Sequence, residues 1–290
     1  TRRSSDLTAN NSAYNYTITG GGALVGSGGL AKSGTGTLML GTANTFSGGV
    51  SANGGTLALN FSDANAPGEN MIPAGNALTL GGGNLAVNGA GGTGAQTFSG
   101  TTLTPGAGTV TVTANGTATL GAVGGGNRPP TGTSMVFNGP ATIGSNNVTV
   151  AATGTITTTT AGVTGSALGS MGQPAGSGGN GNAWATVGLY DWASTFTTNG
   201  VQSSSPYTII GGSQVPGFYT AITPSGGGSG YNNDMSGQEV PGTTQVGGIP
   251  NSYSLRFNSP NSPYSSATGN QTGGYLITPN LGLVNAAISS

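Results

Sequence analysis

Six carboxylates are all the acid chemistry that this 290-residue chain carries, and they stand far apart. Two pairs are close enough in sequence to weigh as acid and base: Asp63 with Glu69, and Asp234 with Glu239. Cleaving a glycoside takes two carboxyl groups about 5–10 Å apart, one of them held protonated. Here the charges are scattered singly along the chain, which reads as solvated loop charge. With no His and no Cys, the chain lacks a Ser-His triad, a thiolate nucleophile and an imidazole or thiolate metal site. No catalytic residue and no cofactor are expected.

A metal site of weaker kind is conceivable in GGGSGYNND, 226–234, which loosely resembles a calcium-binding nonapeptide turn. Asp234, Glu239 and carbonyl oxygens supply the hard ligands that calcium takes. The turn occurs once, however, and Asn232 stands where the first acid belongs, so an ordinary glycine-rich loop is the stronger reading.

Aromatic residues offer contact rather than reaction. In AWATVGLYDWASTF, 183–196, a single strand would put Trp184, Tyr190 and Trp192 on one face, and Ala183, Ala185, Val187 and Leu189 on the other. Each large ring buries roughly 150–250 Å², and isolated domains rarely leave such a patch in water. Cover is expected from a later part of the chain or a neighbouring subunit, with sugar stacking as the rival. Asn-x-Ser/Thr triplets at Asn10, Asn15, Asn60, Asn115, Asn147 and Asn270 are candidate glycosylation positions, where a glycosylation system exists.

The elements that carry these residues repeat. GTLML at 36–40 returns as GTLAL at 55–59, and TLML, TLAL and ALTL end on Leu40, Leu59 and Leu80. NTFSG at 44–48 is echoed by QTFSG at 96–100, and TVTVTA, NVTVAA and TITTTT alternate between Gly and Asn corners. Short alternating strands, glycine corners and a period near twenty residues predict an all-β chain, a parallel β-helix or β-solenoid. One coil cannot bury its own apolar face, so each coil must offer the next the same template. Six to eight rungs are expected. Long loops are predicted in the C-terminal half.

Composition agrees. The chain has 59 Gly and 15 Pro, and only 4% charged residues, against about 25% in an ordinary soluble domain. A net charge of −1 excludes a nucleic-acid partner, and no apolar run reaches the length of a membrane helix, so no membrane insertion is expected. Near-neutral surfaces repel one another weakly. Thr1 is not an initiator Met, which reads as a processed chain or an excerpt.

GGLAKSGTGTLMLGTANTFSGGVSANGGTLALN, residues 28–60, resembles the autotransporter-associated β-strand repeat, the passenger-associated transport repeat of giant bacterial surface and secreted proteins. That family's pattern runs GGL-K-G-GTL-L-G-NTY-GG-T-V-GGTL-L. NFSDANAP, ALTLGGGNLAV, TITTTT and AWATVGLYDWA resemble segments that often follow the repeat. The resemblance implies a right-handed parallel β-helix in a bacterial protein that is extracellular or on the cell surface, often without an assigned activity.

The reading divides the chain into an N-terminal strand and assembly segment (1–20), solenoid repeats (21–170), and a continuing solenoid with long loops or a small β-domain (171–290). A solenoid has open backbone edges at its ends, and no amphipathic capping helix is visible at either. AYNYTITG, 13–20, alternates Tyr14, Tyr16 and Ile18, and GYLIT, 274–278, carries Tyr275 and Ile277. A homo-polymer joined head to tail or by strand donation through these stretches is expected, forming a filament, fibre or matrix. An adhesin-like fragment binding glycans or surfaces is the alternative, and a polysaccharide-cleaving enzyme the weakest.

Overall fold

The computed structural model describes residues 6–90, 94–123, 133–138, 154–159, 185–188, 191–199 and 204–221, and the strands at 232–234, 246–247, 254–257, 266–268, 274–277 and 287–288. These fall into two compact units. The first holds the described residues between 6 and 138, with 154–159 and 204–209; the second holds 185–199 and 210–288.

The first unit is a β-solenoid of about five turns. The first coil contributes β1 (Leu7–Asn10) and β2 (Tyr16–Ile18), the second β3 (Leu30–Ser33) and β4 (Thr37–Leu40), and the third β5 (Val50–Ala52) and β6 (Thr56–Asn60). The fourth gives β7 (Leu78–Leu80), β8 (Asn84–Asn88) and β9 (Ala95–Thr97); the fifth gives β10 (Gly100–Leu103), β11 (Gly106–Thr113) and β12 (Thr117–Thr119). A last set is β13 (Ala122–Val123), β14 (Thr133–Asn138) and β15 (Thr155–Thr158). Three parallel sheets result: β1-β3-β5-β7-β10-β13 on the first side, β2-β4-β6-β8-β11-β14 on the second, and β9-β12-β15 on the third.

Alternation explains which residues go inside. TLML and TLAL bury Leu38, Leu40, Leu57 and Leu59 and turn Thr and Met or Ala outward. The register stacks Leu38 on Leu57 and Leu57 on Leu85, so like residues form core columns along the axis. No described residue lies in an α-helix; a 3-10 turn spans Gly212–Gln214.

Two expectations need correction. Leu40 and Leu59 do stack, but Leu80 belongs to the first side, beside Ala52 and Leu103, and Val87 continues the column above Leu59. Between β6 and β7 the chain runs along the third side, where Glu69 bridges Ala95 and Met71 and Ile72 are buried, so counting from strand to strand changes sides unnoticed. The coil therefore repeats unevenly rather than at one period near twenty, by nineteen residues from Leu38 to Leu57 and twenty-eight from Leu57 to Leu85; the first side carries six strands over about five turns, at the low end of the six to eight rungs expected.

Amides and one ammonium bond backbone groups inside the coil. Gln96 accepts from Ile72 N (3.0 Å) and donates to Ile72 O (2.8 Å), and Asn44 donates to Met71 O (3.0 Å) while accepting from Leu24 N (3.0 Å). Both clip one coil to its neighbour. Lys32 is fully buried, flanked in its column by Ala9 and Ala52, whose small side chains leave it room.

In the second unit, Ala185–Val187 pairs antiparallel with Asp191–Ser194, which pairs in turn with Ile210–Gly211. Gly188, at φ 60, lies between the first two strands. The stretch 183–196 is thus not one strand, the condition on which its aromatics were expected to share a face. Parallel pairing resumes at Tyr219–Ala221, Asn232–Asp234, Ser254–Phe257 and Gly274–Ile277, and separately at Val246–Gly247, Ser266–Thr268 and Ala287–Ile288.

Candidate functional site

Among the described residues the carboxylates form no cluster of three or more. Asp63 Oδ1 accepts from Asn65 N (3.0 Å), closing a turn of its own loop, while Glu69 is exposed and its backbone bridges Ala95. Among the described residues there is no group of three or more His, Cys, Asp or Glu able to hold a metal. Asp191 is buried and accepts from Ser213 N (2.9 Å), which fixes the 3-10 turn. Asp234 lies in the strand Asn232–Asp234, described by its backbone alone, and Glu239 lies outside the described residues.

Apolar groups do assemble, at the flank of the first coil. The register sets Leu7 beside Leu30 and Tyr16 beside Leu38, while Thr45 N donates to Leu24 O and Ser47 N to Gly26 O, placing Val25 beside Phe46. These three residues begin core columns on the three sides of the coil. Leu7 is 40% exposed, Tyr16 50% and Val25 73%, where their stacked neighbours Leu30, Leu38 and Phe46 are 2%, 2% and 4% exposed. Ile18 stands beside Leu40 and is half-buried. Tyr14, at the intervening corner, is 75% exposed. A shallow cleft of about 140 Å³, lined by Leu7, Leu24, Val25, Leu30 and Phe46, opens among them.

Two of these sheets terminate here as well: β1 and β2 each have one edge with no partner strand among the described residues. An unpaired edge plus unfinished core columns is the surface that another coil would fit. Just behind it, Asn11 is buried and donates to Tyr14 O (2.8 Å) and Thr37 O (2.9 Å), clipping the first coil to the second.

The family comparison concerns the two coils stacked on this flank. Residues 30–59 match the passenger-associated-transport-repeat family. The matched stretch opens on the first residue of β3 and closes within β6, so the repeat corresponds to two successive coils, each with its first and second sides. This is a repeat family rather than an enzyme family. No curated protein and no solved structure matches.

The other residues singled out from the sequence are dispersed. Trp192 is buried in a cluster with Phe196, Val215 and Phe218, against Ile210, so its cover comes from its own chain. Trp184 and Tyr190 lie outside the described residues, and Tyr275 and Ile277 fall in a strand described by its backbone alone. Asn10, Asn15 and Asn115 are exposed; Asn60 is half-buried and accepts from Asn88 Nδ2 (3.0 Å). Asn15 Oδ1 is engaged by Thr37 N (2.8 Å), and Asn147 and Asn270 lie outside the described residues. Sequence reasoning missed Leu7 and Val25. The signal was there in weak form, since each precedes its stacked partner by one repeat period.

Proposed function

We propose that the chain is an exported structural protein, a β-solenoid of passenger type on the outside of a bacterial cell, whose use is to associate with copies of itself. The matched repeat supports export and the surface location, because that family implies secreted or cell-surface proteins. One observation carries self-association: Leu7, Tyr16 and Val25 begin three core columns and yet stand in water.

Energetics say what kind of contact is needed. Finishing the burial of three such side chains is worth on the order of 1 kcal/mol each. Association costs at least about 4 kcal/mol in lost freedom, so the columns alone do not hold two molecules together. Strand edges must pair as well, each backbone hydrogen bond adding about 1 kcal/mol net. A coil laid on β1 and β2 meets both needs, whereas a loop or a small ligand meets neither.

Sedimentation and electron microscopy of the purified 290-residue chain test the reading. Concentration-dependent rods or oligomers are expected, with Leu7→Asn plus Tyr16→Ser abolishing them while leaving the melting temperature of the solenoid nearly unchanged. A chain that stays monomeric at high concentration overturns it.

A further inference from the structure

The third side ends differently from the way it runs. β9, β12 and β15 pair parallel, and Gln96, Ala118 and Ile156 stack inside them as a fully buried column. The next strand on that edge is Tyr207–Thr208, which lies antiparallel to β15, with Thr208 beside Thr157 and Tyr207 beside Thr158. Ile209 N donates to Ile156 O (2.9 Å), and Ile209, fully buried, ends the column. Among the described strands of the first unit this is the one antiparallel pairing.

What this strand covers is a segment well suited to pair with another chain. TITTTT, 155–160, is β-branched throughout, uncharged, and free of Gly and Pro, the composition by which short segments pair with their own kind. Ile156 O, taken by Ile209 N, lies on the edge that β12 does not use, whereas Thr157 O accepts from Leu120 N on the edge that it does. The covering strand is by contrast a poor template. It is two residues long against four in β15, it runs in the reverse direction, and Pro206 just before it has no N–H to offer. Short edge strands and prolines are what blunt the edge of a sheet.

We infer that the outer edge of β15 is a pairing site for a second copy of this chain, held shut by the chain's own residues 204–209. The site goes beyond the first-coil contact and does not depend on it, because both the edge and its cover lie inside the chain. Its occupant follows from what it already accepts, an antiparallel strand. Two uncovered β15 edges brought together run antiparallel about a twofold axis, and each gives the other the bonds that Tyr207–Ile209 now supplies. Ile156 and Thr158 face that edge, so the register that pairs both sets Thr157 of one copy opposite Thr157 of the other. Such a contact is isologous and stops at a dimer.

The test uses engineered thiols, which report cleanly in a chain that has no Cys. It is run on the 290-residue chain carrying Leu7→Asn plus Tyr16→Ser, so that the first-coil contact does not contribute. Ile209→Asp puts a charge into the buried column to expel the covering strand, and Thr157→Cys reports what takes its place. Under mild oxidation, dimers linked through position 157 are expected to form about tenfold faster or more than with Thr157→Cys alone, since thiol exchange follows access. The same excess is expected over Thr97→Cys with Ile209→Asp, whose thiol lies in the same column two strands from the edge. An excess of the peptide SSPYTI, residues 204–209, should suppress the dimer. With Ile209 intact, Thr157 and Thr208 form a non-hydrogen-bonded pair with Cα atoms about 4.5 Å apart, within disulfide range. Thr157→Cys with Thr208→Cys should therefore lock the cover in place and leave a monomer. If Ile209→Asp lowers the melting temperature markedly, Ile209→Pro replaces it, deleting the bond to Ile156 O while keeping an apolar side chain. Linkage no faster than in the two single-feature controls overturns the inference. So does a dimer indifferent to the peptide, or an uncovered chain that grows into polymers. None of these results touches the first-coil contact, which Leu7 and Tyr16 test separately.

Discussion

The Lys32 ammonium donates to the Gly54 carbonyl at 3.1 Å, so a charge inside the second coil holds the corner of the third. Its other two donors go to Ser33 O (2.7 Å) and Gly34 O (3.0 Å). Every acceptor is a neutral backbone oxygen. The ammonium takes the place of water at a tight corner where carbonyls turn inward, and Ser33 O accepts from Asn11 N (3.2 Å) as well.

Burial holds the Lys32 ammonium below the usual lysine value of 10.5. Below that lowered value both the folded and the unfolded chain carry the proton. Between it and 10.5 the unfolded chain binds more protons, so this group's contribution to stability rises with pH. Lys32→Met keeps the stem and removes the titration. In urea unfolding from pH 7 to 11, the stability difference between parent and Lys32→Met should move in the parent's favour as pH climbs. Lys32→Ala also empties a packed column and is expected to cost about 2–4 kcal/mol. A difference that stays flat with pH would show that burial does not weigh on this ammonium.

Gly55 combines two demands. Its φ is 59°, and an added Cβ would press on Gly34 O and Gly36 O of the coil before. Gly55→Ala should destabilise the solenoid by about 3 kcal/mol or more, through left-handed strain and steric displacement together. Gly75→Ala is the control, because its surroundings are open and its φ ordinary. That change should fall within about 0.5 kcal/mol of neutral. Thermal melts of the two variants, compared with the parent, check the contrast.

Gln96 is the clearest of the internal clips, accepting from Ile72 N and donating to Ile72 O and Thr97 O. Gln96→Leu keeps the volume and strips the polar atoms. Three backbone groups in a dry interior then lack partners, at about 1–3 kcal/mol for each group left wholly unsatisfied. A loss of several kcal/mol is expected, with amide exchange at Ile72 accelerating first. Preserved protection at Ile72 would mean that water enters and takes over the bonds.

Much of the fold was legible because a solenoid writes its period into the chain. GTLML and GTLAL stack as the repeated spelling implies, Leu38 on Leu57 and Leu40 on Leu59. Side assignment was not legible. Leu80 has the same local spelling as Leu59, and only the third-side stretch within 61–77, which has no strand spelling of its own, moves it to the first side. The stretch 183–196 failed for a related reason: the turn between its two strands falls on one glycine in a chain that has 59 of them. Tyr16 and Ile18 stood out by their alternation, and both lie in β2 beside Leu38 and Leu40. Lys32 was not weighed as an interior residue, because a lone lysine is ordinarily solvated and no carboxylate pattern pointed inward.

Salt separates the contact proposed here from an electrostatic one. The flank offers Leu7, Tyr16, Val25 and strand edges with no partner among the described residues, and the whole chain carries five basic and six acidic residues. Screening has little to act on, so association measured by sedimentation should change less than about threefold between 0.05 and 1 M sodium chloride. Sulfate strengthens apolar burial by being excluded from protein surfaces, so it should tighten the contact instead. Charge-driven association would weaken in both salts, steeply in the first. Sulfate tightening, lost again in Leu7→Asn plus Tyr16→Ser, would tie the effect to the column residues rather than to general precipitation.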